Sequence, residues 1–270
     1  MKVLRDLLIL VLFFSLCWWL FSIWRPFDDP DQVELVSLEH EEKLADLILD
    51  QMIEDPSWKE NHSYADTALQ KISSRLLDSL GLTDYDYKFY LIESSTINAF
   101  ALPGGNIVVF TGLMEFADSP EEVTSVLAHE IGHVEKRHVV DRLIQEFSLA
   151  ILMGAFGGGD AILLKDILNT LIKSKFSRGQ EEEADNFGLE LLERSNIEPS
   201  HMGSFFKKLD RHSSDLDEHL ELIMSHPALN SRVKKAYQYE LSPDFVQIDL
   251  DVDWDKVSSV LNSNSSEQAL

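Results

Sequence analysis

His129, Glu130 and His133 stand together in the stretch "SVLAHEIGHVEKRH", residues 125 to 138. Residues four apart on a helix share a face about one turn apart, so two such imidazoles reach a single ion. Glu130, one position after the first histidine, lies beside that ion rather than on it. There it can take a proton from water at the metal, which is the logic of a His-Glu-x-x-His zinc hydrolase. Two neutral imidazoles do not complete a tetrahedral site. A catalytic one needs a third protein ligand and a position left for water.

His138 is a poor third ligand. Zincins with a further histidine carry His-Glu-x-x-His-x-x-Gly-x-x-His, and this chain has Lys136 and Val139 where that pattern needs glycine and histidine. On an uninterrupted helix His138 is also turned about 140° from His133, which makes it a surface or outer-layer residue. The better completion is "SRGQEEEADNFG", residues 177 to 188. Glu181 would be the third ligand, with Asp185 one turn later to bond a ligand histidine, as in thermolysin-like zincins. Glu182 points about 100° away, toward solvent. An acidic helix face is the ordinary explanation of three consecutive glutamates, and the histidine pair upstream is what displaces it.

The elements that must hold these residues are legible in outline. Ser119-Pro120-Glu121-Glu122 sets serine at the N-cap, proline at N1 and Glu122 at N3, a capping box that opens the motif's helix. Val123, Val126, Leu127, Ile131 and Val134 supply its apolar face, and the helix is expected to run to about Phe147. Before it, "YDYKFYLIE" alternates as a strand, and "INAFALPGGNIVVFTG" gives two β-prone runs around a Pro103-Gly104-Gly105 turn. Two amphipathic helices precede the strands, one on Leu38, Leu44, Leu47, Ile48 and Met52, the other ending at Gly81. Helices are expected at roughly 160 to 175, 178 to 195, 200 to 212 and 227 to 240. "LAILMGAFGGG", residues 149 to 159, is too short to cross a bilayer and reads as a buried turn between helices. "DLDVDWDK" alternates aspartates, but Trp254 and Val260 occupy the places where a calcium loop needs glycine and glutamate. A strand edge leading into a terminal helix accounts for it. The expected fold is α+β and predominantly helical, with a small β-sheet beside the active-site helix.

Composition bounds the function. The chain has 270 residues, 44% of them hydrophobic and 26% charged, enough to bury a substantial core. A net charge of −24 repels phosphate backbones and excludes nucleic acid as a partner. Cys17 is the single cysteine, so neither an intrachain disulfide nor a cysteine-based zinc site is possible. "LLILVLFFSLCWWLFSIW", residues 7 to 24, is uncharged. As a helix it spans about 27 Å, just enough for a hydrocarbon core. Lys2 and Arg5 precede it, while Asp28, Asp29 and Asp31 follow, which places the remaining chain outside the cytoplasm. A cleaved signal peptide is the competing reading, but no small-x-small cleavage site follows the run. The expected organisation is an anchor over 1–25, packing helices over 26–81, a zinc metallopeptidase domain over 82–262 and a disordered tail over 263–270.

Four blocks carry a family resemblance: "NAFALPGGNIVVFTGLM", "VLAHEIGHVEKRH", "SRGQEEEADNFG" and "SHPALNSRV". In this order, spanning residues 98 to 233, they resemble family forty-eight of the metallopeptidases, which includes the CAAX prenyl proteases, HtpX and the BepA-like proteases. The resemblance implies a gluzincin-like domain with one Zn2+ per chain on His129, His133 and Glu181. It implies Glu130 as general base and Asp185 behind the ligands. It also implies that His226 and Arg232 approach the metal from a later loop, as catalytic groups for the oxyanion. In some BepA-like members the equivalent of His226 caps the zinc and holds the enzyme inactive. The strand at Asn98, Ala99 and Phe100, or the one from Ile107 to Phe110, would hold an extended substrate by main-chain pairing. Prenyl proteases and HtpX carry several membrane spans where one candidate stands here, and no helical-repeat domain follows residue 240. The expectation is a compact zinc endopeptidase acting on envelope polypeptides, tethered in a bacterial inner membrane with its domain on the periplasmic side, or exported. The alternative is a chaperone-like or scaffold protein of envelope assembly with structural or regulatory zinc.

Overall fold

The computed structural model describes residues 10, 13–16, 33, 35–54, 58–59, 63–155, 161–173, 175–212, 222, 225–226 and 229–267. Most of the expected anchor therefore lies outside the described residues. Among those described, no helix is long and apolar enough to cross a membrane.

Apolar spacing builds the first two helices as expected. α1 (Leu38–Glu54) buries Leu44, Ala45, Ile48 and Met52. α2 (Tyr64–Leu80) is capped by the Ser63 hydroxyl and buries Ala65, Leu69, Ile72 and Leu76. The sheet follows: β1 (Lys88–Ile92), β2 (Ala99–Ala101) and β3 (Asn106–Phe110), in the order β1-β3-β2. β3 runs parallel to β1 and antiparallel to β2, with Ala99 opposite Val109 and Ala101 opposite Ile107. All five residues of β3 are buried, as suits a central strand covered on both faces. That position removes Ile107–Phe110 as a substrate edge, because both its sides are already paired; β2, like β1, is an outer strand. Gly104 turns the chain between β2 and β3 at φ 69, a conformation glycine adopts without cost.

α3 (Thr111–Phe116) leads into α4 (Pro120–Glu135), the helix of the histidine pair. Ser119 caps it by accepting from Glu122 N, as expected. The reciprocal half of the box is redirected. Glu122 accepts from Asp118 N at 2.9 Å and pairs with Lys208 at 3.0 Å. The helix also stops earlier than its apolar pattern suggests, at Glu135 rather than near Phe147. Arg137 adopts φ 55, and α5 (His138–Ala155) starts afresh. The cause is tertiary: Arg137 Nη2 donates to Val36 O and to the buried Glu41 carboxylate, which fixes the reversal from α1. Glu41 also accepts from Gly104 N at 3.2 Å, so one carboxylate fastens the β2–β3 turn and the end of α4.

α5 has a second break at Ser148, φ 63. Beyond it Leu152 is buried while Ile151 and Met153 are exposed, so this stretch is a half-exposed helix rather than the expected buried turn; residues 156–160 lie outside the described residues. α6 (Ala161–Lys173), α7 (Arg178–Arg194), α8 (Ser200–His212) and α9 (Leu229–Tyr237) match the expected helices. Ser177 and Gln180 close a complete capping box on α7. Residues 249–253 form no strand. Asp251 sits at φ 51 with its carboxylate 2.7 Å from Lys71, and α10 (Trp254–Glu267) extends into the 263–270 segment expected as a disordered tail.

α4 and α7 cross nearly backbone to backbone because small residues face each other. A Cβ on Gly132 would lie 2.8 Å from Ala184 O and 3.0 Å from Ala184 Cα. One on Gly188 would lie 3.1 Å from His129 N. Gly132→Ala should therefore push the helices apart. The overpacking costs about 1–3 kcal/mol, offset by up to about 1 kcal/mol of helix propensity. A net loss in urea denaturation is expected, together with weaker metal binding; stability at or above wild type would contradict the close approach.

Candidate metal centre

The crossing of α4 and α7 brings both halves of the sequence motif to one point. Ligand atoms of His129, His133, Glu181 and His226 all lie within 4.8 Å of one another, and all four residues are buried. His129 Nε2 is 3.1 Å from His133 Nε2 and 3.2 Å from His226 Nδ1. Glu181 Oε1 lies 2.9 Å from His226 Nδ1 and 3.5 Å from His133 Nε2. Glu181 Oε2 ion-pairs with Arg232 Nη1 at 2.8 Å but accepts no aligned hydrogen bond. Three imidazole nitrogens and a carboxylate converging at these separations, with a buried carboxylate oxygen left over, fit a single zinc-sized cation. Burial pushes the His133 imidazole well below its usual pKa, so it is neutral, as a ligand must be.

Glu130 sits beside this set. Its Oε2 accepts from Ala101 N at 3.2 Å, which ties it to β2. Its Oε1 is buried without a hydrogen-bond partner, 3.6 Å from His226 Nε2. His226 thus stands between the donor cluster and Glu130, with one ring nitrogen toward each.

Behind the donor cluster, Asp185 Oδ1 is 3.0 Å from His129 Nδ1, a carboxylate–histidine contact that leaves Nε2 facing the cluster. Burial alone would raise the pKa of Asp185, but the Arg232 charge and the His129 hydrogen bond hold it down at about 2. At Glu181 the opposing burial is outweighed by His226, the His133 hydrogen bond and the Arg232 charge, which keep that carboxylate ionised. Arg232 donates to both oxygens of Asp185, at 2.9 and 2.8 Å, and its guanidinium lies 4.1 Å above the Phe206 ring. Its Nη2 also lies 3.2 Å from both ring nitrogens of His129, and its Nη1 3.5 Å from His226 O, so from α9 it reaches the candidate ligands as well as the two acidic groups of α7.

Asn98, Ala99 and Phe100 are all buried on the outer strand. Phe110 N donates to Asn98 O, and Leu102 N to Asn106 O, so residues 98, 100 and 102 turn their main chain toward β3. The outward groups are those of Ile97, Ala99 and Ala101. Ile97 O accepts from Leu222 N at 3.4 Å, and Ala101 N is on Glu130. Glu182 is exposed, as its helical position requires.

Three neighbours were not identified from the sequence. Phe176 stacks on His133 at 3.7 Å between centroids, and Arg142 lies 3.9 Å above the far face of Phe176. Burial lowers the Arg142 pKa to about 10. Glu183 approaches His138, whose place beside His133 follows from the break at Arg137. No local sequence pattern marks Phe176 or Arg142.

Comparison with known proteins agrees with this geometry. The family model described as Peptidase family M48 matches residues 63–240. The beta-barrel assembly-enhancing protease of Yersinia pestis is 32% identical over 181 residues, 62% of this chain and 37% of that protein. The mitochondrial metalloendopeptidase OMA1 of Arabidopsis thaliana is 32% identical over 206 residues, 72% of this chain and 41% of that protein. Metalloprotease YcaL of Escherichia coli (strain K12) is 29% identical over 173 residues, 62% of this chain and 66% of that protein. The chain therefore spans well under half the length of the first two relatives. The matched region carries the whole donor cluster and most of the chain, which belongs to peptidase family M48.

Proposed function

We propose that this protein is a zinc-dependent endopeptidase whose resting site is closed by His226. The carrying observation is the buried convergence of His129, His133, Glu181 and His226 beside a carboxylate oxygen of Glu130 that has no partner. His129, His133 and Glu181 would hold the metal, oriented by Asp185. Bound zinc supplies Lewis acidity toward the scissile carbonyl and the attacking water. Glu130 Oε1 is placed to accept the proton of that water and to return it to the leaving amine. Its Oε2 keeps the bond to Ala101 meanwhile. An extended substrate would pair with Ala99 on the open side of β2, which requires Leu222 to leave Ile97. His226 would have to swing out to admit water and could then face the oxyanion. Arg232 holds Glu181 and Asp185 and, with Nη2 3.2 Å from His129 Nε2, borders the metal position itself.

The substrate class proposed is polypeptides of a bacterial envelope, with attachment to the inner membrane through residues 7–24 and the folded part outside the cytoplasm. The charge bias around that run supports it, as does the similarity to the beta-barrel assembly-enhancing protease of Yersinia pestis. Structural or regulatory zinc in a scaffold is the second reading; the fourth protein donor is the one observation compatible with it, because a structural site fills all four positions, and the family match does not favour it. The purified full chain decides between them. One zinc per chain is expected, with casein cleavage that phenanthroline abolishes and added zinc restores. Stoichiometric zinc without cleavage, in wild type and in His226→Ala alike, supports the scaffold; cleavage indifferent to chelation overturns both.

A further inference from the structure

His138 and Glu183 surround the ligand His133 in a way that follows from the break after α4. His138 is only 5% exposed, and its Nδ1 lies 3.0 Å from His133 Nδ1. Its other nitrogen, Nε2, is 3.4 Å from Glu183 Oε2, a carboxylate whose side chain is 61% exposed. We infer that His138, backed by Glu183, is a positioning residue that fixes the tautomer and orientation of His133. The inference rests on the metal site proposed above.

The assignment follows by elimination. His133 Nε2 faces His129 and Glu181 at 3.1 and 3.5 Å, so its lone pair belongs to the metal. A neutral imidazole carries one N–H, which must then be on Nδ1. The His138 Nδ1 opposite has to accept it, since two N–H groups at 3.0 Å would oppose each other. The single N–H of His138 is therefore on Nε2, where Glu183 accepts it. One tautomer pair satisfies every contact, and the direction of donation runs outward from the metal to a carboxylate at the surface.

The two histidine ligands are thus oriented by different means. His129 Nδ1 has Asp185 directly, a buried anion. His133 Nδ1 has a neutral ring in between, and the anion behind that ring is largely hydrated. Phe176, stacked on His133 with an interplanar angle of 19°, holds the ring plane whether or not His138 is present. What His138 alone supplies is the acceptor. Without it the His133 N–H is buried unsatisfied, and the alternative tautomer, which withholds Nε2 from the metal, becomes competitive.

The test measures zinc affinity of the full chain by competition with a chromophoric chelator, and the visible spectrum of the cobalt(II)-substituted protein. His138→Phe should weaken zinc by about 10–100-fold and shift the cobalt bands. His138→Gln, whose amide oxygen restores an acceptor, should recover most of the affinity. Glu183→Gln should have a smaller effect of the same sign, and Glu182→Gln none. Zinc affinity of His138→Phe equal to wild type, with an unchanged cobalt spectrum, overturns the inference. So does a His138→Gln protein as weak as His138→Phe, which would make the ring a packing element. If His138→Phe does not fold, the Gln variants decide: Glu183→Gln indistinguishable from Glu182→Gln removes the relay. Wild-type protein that binds no zinc overturns the proposed function itself, a result distinct from the others.

Discussion

Glu130→Gln is expected to bind zinc as wild type does and to cleave casein about 10²–10⁴-fold more slowly, the usual contribution of a general base. The substitution is nearly isosteric, and its amide oxygen can still accept from Ala101 N, which Oε2 does at 3.2 Å in the native protein. What is lost is the basicity of Oε1, the buried oxygen without a partner. Glu130 touches none of the other acids of the site, so the donor cluster keeps its geometry. Zinc analysis alongside initial rates checks this. A variant with full zinc occupancy and cleavage within tenfold of wild type would show that Glu130 is not the base.

Arg232→Met should be the most destabilising single change in the centre. Arg232 is buried against two ionised carboxylates, Asp185 at 2.8 Å and Glu181 at 2.8 Å. Removing one member of a buried charge group leaves the others uncompensated, a loss of about 3–5 kcal/mol. Methionine would still pack over Phe206, so the effect is electrostatic rather than a cavity. The sign of its metal dependence is also fixed. A bound dication would compensate Glu181, so the loss should be largest in metal-free protein and partly recovered on adding zinc. Urea denaturation with and without zinc measures both. A loss below about 1 kcal/mol without metal would mean that Arg232 does not hold these acids together.

The residues of the candidate cluster on α4 and α7 were legible because their spacing is local. A four-residue spacing on a capped helix places His129 and His133 together, and the same spacing selects Glu181 and Asp185. The convergence of the two helices was not readable from either alone; it depends on Gly132 and Gly188 meeting backbone across the crossing. His138 shows the limit most clearly. Counting 100° per residue turns it away from His133, and that count holds only while the helix continues. The helix ends because Arg137 bonds Val36 and Glu41, residues roughly a hundred positions upstream, and no periodicity in the motif records them. The sheet shows a similar division. The glycine-marked turn revealed that β2 and β3 pair, while the parallel pairing of β1 with β3, which makes β3 central, is a long-range choice.

The Glu41 contacts carry a consequence for where this protein can be divided. The family match begins at residue 63, after α1 has ended. A fragment trimmed to that boundary would keep every donor atom and the base, yet surrender the carboxylate that buttons a strand turn to a helix terminus. Ala101 and Arg137 sit just beside those two points, one bound to Glu130 and the other next in line to His138. The smallest unit able to keep its chemistry aligned therefore starts earlier than family membership does, with the leading helix serving as a brace for the catalytic frame.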